Sequence, residues 1–404
     1  MSTSILYHGF GLVGYHYLRT TYEGRKVIFS IRHKRDKLHC PECNSRDIVL
    51  KGSVQRRFRT VPIGTKVIYL DLAIQRISCK RCHIIRQVNI GFADYRYSYT
   101  RSFERYVIEL SRRMTILDIA RHLNISWDVI KDIQKRYLRK KFSHPRLKDI
   151  RWIAIDEIAV KKGHKYLTVV LDLESGAIVF VGDGKGAEAL EPFWKRINYS
   201  QAEIKAVAMD MSPAYISAVM DHLPNTTILF DHFHVIKLYN DKLSNLRRDL
   251  HREAQDQLQK DVLKGTRWLL LKNPGNLNEE KGERERLYEA LCLNEPLYTA
   301  YYLREDLSRV WCQSNKREAE AVLDEWIKKA ASSGIKMLTT MAKTLSAYRS
   351  GILAYYDFPI SIGPLEGTNN KIKTMKRQAY GFRDMEFFKL KIMAIHEARY
   401  ALVG

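Results

Sequence analysis

The chain has 404 residues, with 68 Lys and Arg against 45 Asp and Glu, and a formal net charge of +23 at pH 7. This length predicts about two to four domains, and the charge favours a polyanionic partner such as a nucleic acid. No run approaches the roughly 20 apolar residues of a membrane helix, and the first residues lack the pattern of a signal peptide. We therefore expect a cytoplasmic, nucleoid-associated protein with no membrane partner.

Four of the six cysteines form two CxxC pairs: Cys40, Cys43, Cys79 and Cys82. Each pair suits two corners of a tetrahedral Zn²⁺ site, and together they complete one. The intervening stretch of about 35 residues contains an apolar alternation that predicts a hairpin strand: Ile68, Leu70, Leu72 and Ile74. We predict a zinc ribbon in a DNA-binding domain at residues 1–95. Two disulfides or buried thiols are the alternatives, and His39 or His83 could replace one cysteine. Cys292 and Cys312 are expected in the core.

Residues 102–138 are typical of three amphipathic helices, in a second domain at 96–145. The second and third helices are separated by a break at Asn124. Ser126 is the predicted N-cap of the third helix, which begins at Trp127. This is a helix-turn-helix pattern, whose second helix would enter the major groove. A three-helix packing domain is the alternative, and Trp127 is expected in the core in both cases. The predicted DNA contacts are Arg121, Lys131, Lys135, Arg136 and Arg139.

From about Arg151 the pattern changes to short apolar strands. The segments 153–156, 166–171 and 177–181 predict an antiparallel meander, with a turn at Gly163. Helix 187–197, strand 205–209, a helix after Ser212 and strand 226–230 follow. This order is that of the RNase H-like fold, in which the first and fourth strands lie side by side. The predicted class is a multidomain α/β (α+β) chain.

We assign 146–235 to the first part of this catalytic core, 236–355 to an all-helical insertion and 356–404 to the C-terminal part. Trp268, within the insertion, could stack on a base, although a core position is expected.

Three carboxylates have the chain context of a metal-dependent phosphoryl-transfer site. Asp156 ends one apolar run, Asp210 ends another, and Glu366 opens a late helix. They can converge on two Mg²⁺ (or Mn²⁺) ions, which activate a water or a 3′-hydroxyl and stabilise the leaving oxygen of a phosphodiester. Taken singly, Asp210 could be a loop residue and Glu366 a solvated helix start. Glu157 competes with Asp156, and the two side chains point to opposite faces of a strand.

The helix that contains Glu366 places polar groups at offsets of three, four and seven, hence on one face: Asn369, Asn370 and Lys373. This is a surface suited to phosphate, and Lys376 and Arg377 extend its basic end as further DNA contacts.

These motifs together resemble the DDE transposases of the ISL3 family of bacterial insertion sequences, over nearly the full length. The resemblance is carried by the double CxxC, the helix-turn-helix and the segments 155–157, 161–169, 208–215, 231–237, 366–373 and 377–383. It implies a nuclease and strand transferase that binds the terminal inverted repeats of its own element and joins them to target DNA. Since two ends must be paired, a homodimer or larger oligomer on double-stranded DNA is expected.

For the site residues, the resemblance implies a triad of Asp156, Asp210 and Glu366, and it favours Asp156 over Glu157. Lys373 matches the basic residue seven positions after the glutamate, and it completes the predicted catalytic set. The roles of Asp231, His232 and His234 stay open between a metal contact, a DNA contact and support of the site, but the two histidines are not expected to bind Mg²⁺, which prefers oxygen ligands. Two rivals are a DNA-binding regulator with a non-catalytic body and a structure-specific nuclease of the same fold.

Overall fold

The computed structural model describes residues 5–161, 165–358 and 363–396. The chain divides into two compact units: residues 1–144 join the segment from Lys371 onward, and residues 145–370 form the other. No helix in the described ranges is long and apolar enough to cross a bilayer. The predicted turn at Gly163 and the residues just before Gly363 lie outside these ranges.

The first unit contains a five-stranded sheet of order β1-β2-β4-β3, with β5 beside β4. Its strands are β1 (Tyr15–Glu23), β2 (Lys26–His33), β3 (Ile48–Ile63), β4 (Lys66–Cys79) and β5 (Ile85–Gln87). β3 and β4 form a long antiparallel hairpin, and Gly64 in its turn has a φ of 58° that favours glycine. The alternating apolar residues from Ile68 to Ile74 are all buried, which confirms the predicted hairpin strand.

Four helices of the first unit are α1 (Ile5–Phe10), α2 (Arg101–Ser111), α3 (Ile116–Leu123) and α4 (Trp127–Phe142). Ser126 caps α4 as predicted, because its side chain accepts a hydrogen bond from the backbone N–H of Asp128. Asn124 ends α3 with a φ of 48°, and this left-handed residue makes the tight turn between the two helices. The predicted helix-turn-helix is therefore present.

Trp127 is not in the core of this helix-turn-helix, and that expectation was wrong. Its side chain is 43% exposed. It is the first residue of α4, and the buried positions of the helix begin one turn later with Ile130 and Ile133.

The second unit is built on a sheet of order β10-β9-β6-β7-β8. Its strands are β6 (Trp152–Lys161), β7 (Lys165–Asp172), β8 (Ile178–Asp183), β9 (Ala206–Met209) and β10 (Thr227–Phe230). β6, β7 and β8 are antiparallel neighbours, whereas β6, β9 and β10 run parallel. The predicted pairing of the first and fourth strands is confirmed, since Ala154 of β6 lies opposite Ala208 of β9.

Two helices, α5 (Glu191–Ser200) and α6 (Pro213–His222), connect the later strands of this sheet. They share a buried core with one face of the sheet, in which Trp194 and Tyr215 pack with Ile153 and Ile155. The opposite face of β6 therefore carries the even-numbered residues, among them Ala154 and Asp156.

The chain is then helical through α7 (His232–Glu253), α8 (Gln257–Gly265), α9 (Glu283–Cys292), α10 (Glu295–Ser308), α11 (Lys316–Ser332), α12 (Lys336–Ala347) and α13 (Arg349–Leu353). Tyr239 and Trp326 belong to the core of this helical segment. α13 packs on β10, and a Cβ added at Gly351 would come within 2.4 Å of the Phe230 ring.

Three residues of the helical segment that were expected in its core are exposed. Cys292 and Cys312 are both exposed, and Trp268 is 66% exposed. Each lies at or just beyond the end of a helix or helical turn, where the packed face of that element stops. These three expectations were wrong.

The last helices are α14 (Gly363–Gln378) and α15 (Met385–Met393). Phe387 and Leu390 of α15 join the buried core of α2, α3 and α4. This packing explains why the chain from Lys371 belongs to the first unit. The predicted assignment of 356–404 to the C-terminal part of a catalytic core stays a prediction, and the compact second unit ends at Asn370.

Candidate catalytic and metal sites

Three aspartates lie at the same level on three neighbouring strands of the second unit. Ala154 pairs with Ala208, so Asp156 and Asp210 each follow that pair by two residues. Phe230 pairs with Met209, so Asp231 lies beside Asp210. Because adjacent strands are about 4.8 Å apart, the three carboxylates form a row on one edge of the sheet.

Asp156 is held by two hydrogen bonds. Its Oδ1 accepts the backbone N–H of Glu157 at 2.7 Å, and its Oδ2 accepts the side-chain amide of Asn369. Asn369 belongs to α14, one turn after Glu366, so these two side chains lie on the same face of the helix. This contact fixes the start of α14 against the edge of β6.

Asp210 and Asp231 are partly buried carboxylates with helix-start hydrogen bonds. Asp210 accepts the backbone N–H of Ser212 at 3.1 Å, and Asp231 caps α7 by accepting that of Phe233 at 2.9 Å. Burial raises the pKa of both carboxyls above their usual values, and the negative charge of Asp156 acts in the same direction. His234, whose Nε2 lies 3.9 Å from Asp231, opposes the shift. These groups form an acidic cluster that a cation would stabilise.

Glu157 lies in a different environment from Asp156. Its side chain is hydrogen-bonded to Tyr215, whose hydroxyl is 2.8 Å from Thr168 Oγ1. Burial raises the pKa of Glu157, with a further contribution from the charge of Asp210. Glu157 therefore lies on the same face of β6 as Ile153 and Ile155, and α6 covers that face.

Glu366 and Lys373 are both exposed on α14. No hydrogen bond or ion pair joins Glu366 to Asp156 or Asp210 among the residues that the structure describes. His232, also exposed, packs its ring against Trp311, with centroids 4.5 Å apart. Glu366 is thus near the cluster through Asn369, without a direct contact to it.

The donor set of the acidic cluster fits Mg²⁺ in its chemistry. It consists of carboxylate oxygens, and the Oδ1 of Asn369 is a buried acceptor with no hydrogen-bond partner in the structure. Among the described residues, the ligand atoms of the acidic cluster do not form a group of three that all lie within 4.8 Å of one another. Within the described ranges, the four cysteines alone form a group of three or more ligand atoms that all lie within 4.8 Å of one another.

The four cysteines form a closed metal site in the first unit. Cys40 Sγ lies 3.6 Å from Cys82 Sγ, and Cys43 Sγ lies 3.5 Å from Cys79 Sγ. These separations are close to those of four thiolates bound to one Zn²⁺ at about 2.3 Å. A backbone hydrogen bond from Cys82 lowers the pKa of the Cys79 thiol to about 6, whereas burial raises the pKa of the Cys82 thiol to about 12. With four sulfur ligands in place, neither histidine is needed, and the site supports structural Zn²⁺.

The basic residues predicted to contact DNA from α4 are engaged within the first unit. Lys131 and Lys135 each lie 3.0 Å from Asp384, and Arg139 pairs with Glu386. Arg136 pairs with Glu104, and its guanidinium carbon lies 3.9 Å from the centre of the Tyr97 ring. DNA contacts by these four residues stay a prediction, and each would compete with an acidic partner on the same unit.

The remaining predicted DNA contacts are on the surface. Arg121 and Arg377 are exposed, and Lys376 is half-buried. In the zinc-ribbon sheet, by contrast, Arg59 is buried and donates to the carbonyl of Leu123 at 3.0 Å. Arg59 is therefore a structural residue and not a phosphate contact.

The sequence patterns missed two features of these sites. Asn369 was placed on the Glu366 face, but its bond to Asp156 was not foreseen, because the two residues are 213 positions apart. The acidic partners Asp384 and Glu386 were also missed. Their only signal was an acidic pair in an otherwise basic C-terminal segment.

Three protein-family models match the chain. A zinc-finger of transposases IS204/IS1001/IS1096/IS1165 matches residues 36–82, the helix-turn-helix domain of transposase family ISL3 matches 88–138, and the ISL3 transposase model matches 153–392.

Curated relatives agree with these matches. The chain is 33% identical over 374 residues to the transposase for insertion sequence element IS1001 of Bordetella parapertussis, covering 92% of each protein. It is 27% identical over 388 residues to the transposase for IS1557 of Mycobacterium tuberculosis, covering 89% of this chain and 86% of the relative. A Drosophila P element transposase strand transfer complex has a TM-score of 0.35 at 12% identity, over 67% of this chain and 82% of that one, which is too low to support an argument. The chain belongs to the ISL3 family of transposases.

Proposed function

We propose that this transposase cleaves and joins DNA strands with a DDE triad of Asp156, Asp210 and Glu366 on an RNase H-like core interrupted by the helical segment. The observation that carries the proposal is the row of aspartates on parallel strands, with α14 attached to Asp156 through Asn369. Asp156 and Asp210 lie on the same face of the sheet, at the same end of the parallel strands β6 and β9. Glu366 lies one helical turn before Asn369, which contacts Asp156.

Mg²⁺ or Mn²⁺ bound by these carboxylates would activate a water or a 3′-hydroxyl and stabilise the leaving oxygen of the scissile phosphodiester. The residues of this chain contribute position and charge. Asn369 orients one oxygen of Asp156, and the backbone N–H of Ser212 orients Asp210. Lys373 is assigned to a phosphate of the DNA, since its exposed ammonium is two turns from Glu366 on the same helix.

The proposed substrates are the terminal inverted repeats of the element and the target DNA. Sequence recognition is assigned to the helix-turn-helix and the zinc ribbon, and the net charge of +23 adds non-specific attraction to phosphates. Pairing of two ends requires a dimer or a larger oligomer on DNA. The place of action is the cytoplasm, on the nucleoid.

The test is cleavage of a labelled duplex that carries the element's own terminal repeat, with Mg²⁺ or with chelator. Asp156→Asn, Asp210→Asn and Glu366→Gln should each abolish nicking at the repeat boundary and leave repeat binding unchanged. Glu157→Gln is the matched control and should retain activity.

Loss of activity in Glu157→Gln with retention in Asp156→Asn would reassign the first acid. Specific binding without cleavage under any divalent metal would instead support a DNA-binding regulator. Cleavage of junctions irrespective of the repeat would support a structure-specific nuclease.

A further inference from the structure

The helical segment carries a second surface suited to binding nucleic acid. Its residues are not among those of the acidic cluster. Trp268 follows the end of α8 and exposes 66% of its surface, more than any other tryptophan in the described ranges. A ring this exposed is costly in water, and an indole presents a flat apolar face on which a partner can stack. We call the surface formed by Arg267 and Trp268 the Trp268 surface.

The residues around this ring are positively charged. The guanidinium carbon of Arg267 lies 4.7 Å from the centre of the Trp268 ring, and Arg267 is itself exposed. This cation–π contact holds the indole and leaves the guanidinium at the surface. An aromatic face beside an arginine is the combination that binds single-stranded nucleic acid, through base stacking and phosphate contacts.

Arg247 and Arg248 add to this positive charge from α7. Arg247 is only 8% exposed and donates to the carbonyl of Leu263 at 2.9 Å, and its Nε has no hydrogen-bond partner. Burial lowers the pKa of Arg247, and the neighbouring charges of Arg267 and Arg248 lower it further. No salt bridge of Arg247, Arg248 or Arg267 occurs in the described parts of the chain. Like charges brought together in this way would be stabilised by a polyanion.

We propose that the Trp268 surface binds an unpaired stretch of DNA, with one base stacked on Trp268 and a flanking phosphate held by Arg267. The base must be unpaired because the faces of bases inside a duplex are already stacked on their neighbours. A protein partner fits less well, because the charges of Arg247, Arg248 and Arg267 have no salt-bridge partner in the described ranges and together favour a polyanion. The identity of the nucleic acid as DNA rests on the proposed function.

The probe is a short fluorescein-labelled oligothymidylate, bound to the full-length protein and followed by fluorescence anisotropy. Trp268→Ala should weaken binding about 5- to 100-fold, the effect of losing one base–aromatic stack. Trp268→Phe should restore most of the affinity. Arg267→Gln should lower the slope of log affinity against log salt by about one.

Tyr288→Ala is the matched control, because Tyr288 is 63% exposed on the same helical segment. It should bind the oligonucleotide like the wild type. Binding of a fully paired repeat duplex should be the same in Trp268→Ala and wild type, since that binding is assigned to the first unit. Tryptophan fluorescence should be quenched on adding the oligonucleotide in the wild type and less so in Trp268→Phe.

Equal oligonucleotide affinity in wild type, Trp268→Ala and Tyr288→Ala would overturn the proposal. So would a Trp268→Ala protein whose only change is a smaller oligomer in solution, which would identify a protein contact. These outcomes do not depend on catalysis. If the wild type fails to cleave and the Trp268→Ala effect is still seen, the proposed function fails and the DNA contact stands.

Discussion

The four cysteines of the first unit already lie within metal-binding distance of one another, whereas the carboxylates of the second unit share a sheet edge without converging. Charge accounts for part of this difference. Carboxylates are charged at neutral pH and repel one another, and burial adds a desolvation cost to each charge. The raised pKa of Asp210 reflects that cost. The zinc site is formed by the fold, whereas the described carboxylates of the acidic cluster lie too far apart to form such a group.

The backbone accounts for the rest. Each cysteine pair lies on one short turn, and the pairing of Ile48 with Cys79 at the end of the β3–β4 hairpin brings both turns together. The acidic residues come from the separate elements β6, β9 and α14, so their approach depends on tertiary packing. Four substitutions test this contrast.

Removing one zinc ligand should have the largest effect. The wild type should bind one zinc ion per chain, and Cys40→Ser should bind less. The substitution should also destabilise the first unit by several kcal/mol. Structural zinc contributes on the order of 10 kcal/mol in small fingers, and the buried core of β4 retains part of the stability here. Zinc analysis and thermal unfolding measure this. Cys312→Ser, at an exposed cysteine, is the control, and unchanged zinc content in Cys40→Ser would refute the ligand assignment.

Replacing one carboxylate should have the opposite effect in the absence of metal. Asp210→Asn keeps an oxygen that accepts the Ser212 N–H and removes a partly buried charge, so the metal-free protein should be as stable as the wild type or more stable. At a hundredfold excess of Mg²⁺ over its Kd, the wild type should gain about 2.7 kcal/mol, and the variant should not. Unfolding with Mg²⁺ and with chelator measures this, with the exposed Asp221→Asn as control. An equal response of all three proteins would argue against a metal site at Asp210.

The contact between α14 and β6 should matter less than a carboxylate itself. Asn369→Ala removes the amide that binds Asp156, and the loss of such a supporting group typically costs about 10- to 100-fold in metal affinity or activity. Metal titrations of cleavage rate measure this. Thr374→Ala is the matched control, because Thr374 is an exposed residue of α14 that is not among the polar residues assigned to the Glu366 face. Equal losses in both variants would show that α14 itself had been disturbed.

Patterns within one element were readable from the sequence. The CxxC spacing, the alternation in β4 and the cap at Ser126 are local, and each predicted its structure correctly. The order of strands and helices along the second unit was also predicted, as was the pairing of its first and fourth strands. The triad assignment of Asp156, Asp210 and Glu366 and the catalytic role of Lys373 stay predictions.

Contacts between distant elements were not readable. Trp127 and Trp268 were misplaced because an apolar side chain at the end of a helix is buried only if another element covers it. The same holds for Asp384, whose lysine partners are about 250 positions earlier in the chain. A charge pattern does not reveal which helix an acidic residue will meet.

The ion pairs on α4 are a third case, in which the chain itself supplies the opposite charge, and they should give the smallest effect. Although burial opposes it, hydrogen bonds from Phe387 N–H, Lys131 and Lys135 hold the pKa of Asp384 well below its usual value. Asp384→Asn removes the charge and keeps a side chain that can cap α15. We expect a loss of about 1–2 kcal/mol in the free energy of unfolding, since the groups are about a quarter exposed and the pairs are partly screened.

The pH dependence of that loss identifies its cause. A carboxyl whose pKa is lowered by folding stabilises the protein fully above its unfolded value of 3.8, and this contribution disappears as pH falls through the lower folded value. The difference between wild type and Asp384→Asn in urea unfolding should therefore be constant near neutral pH and shrink below pH 3.8. If Lys131 and Lys135 also contact DNA, the variant should bind the repeat more tightly, because the lysines no longer have to leave the Asp384 carboxylate in order to bind a phosphate. Unchanged repeat affinity together with reduced stability would mean that this side of α4 serves the packing of α15 and does not face DNA.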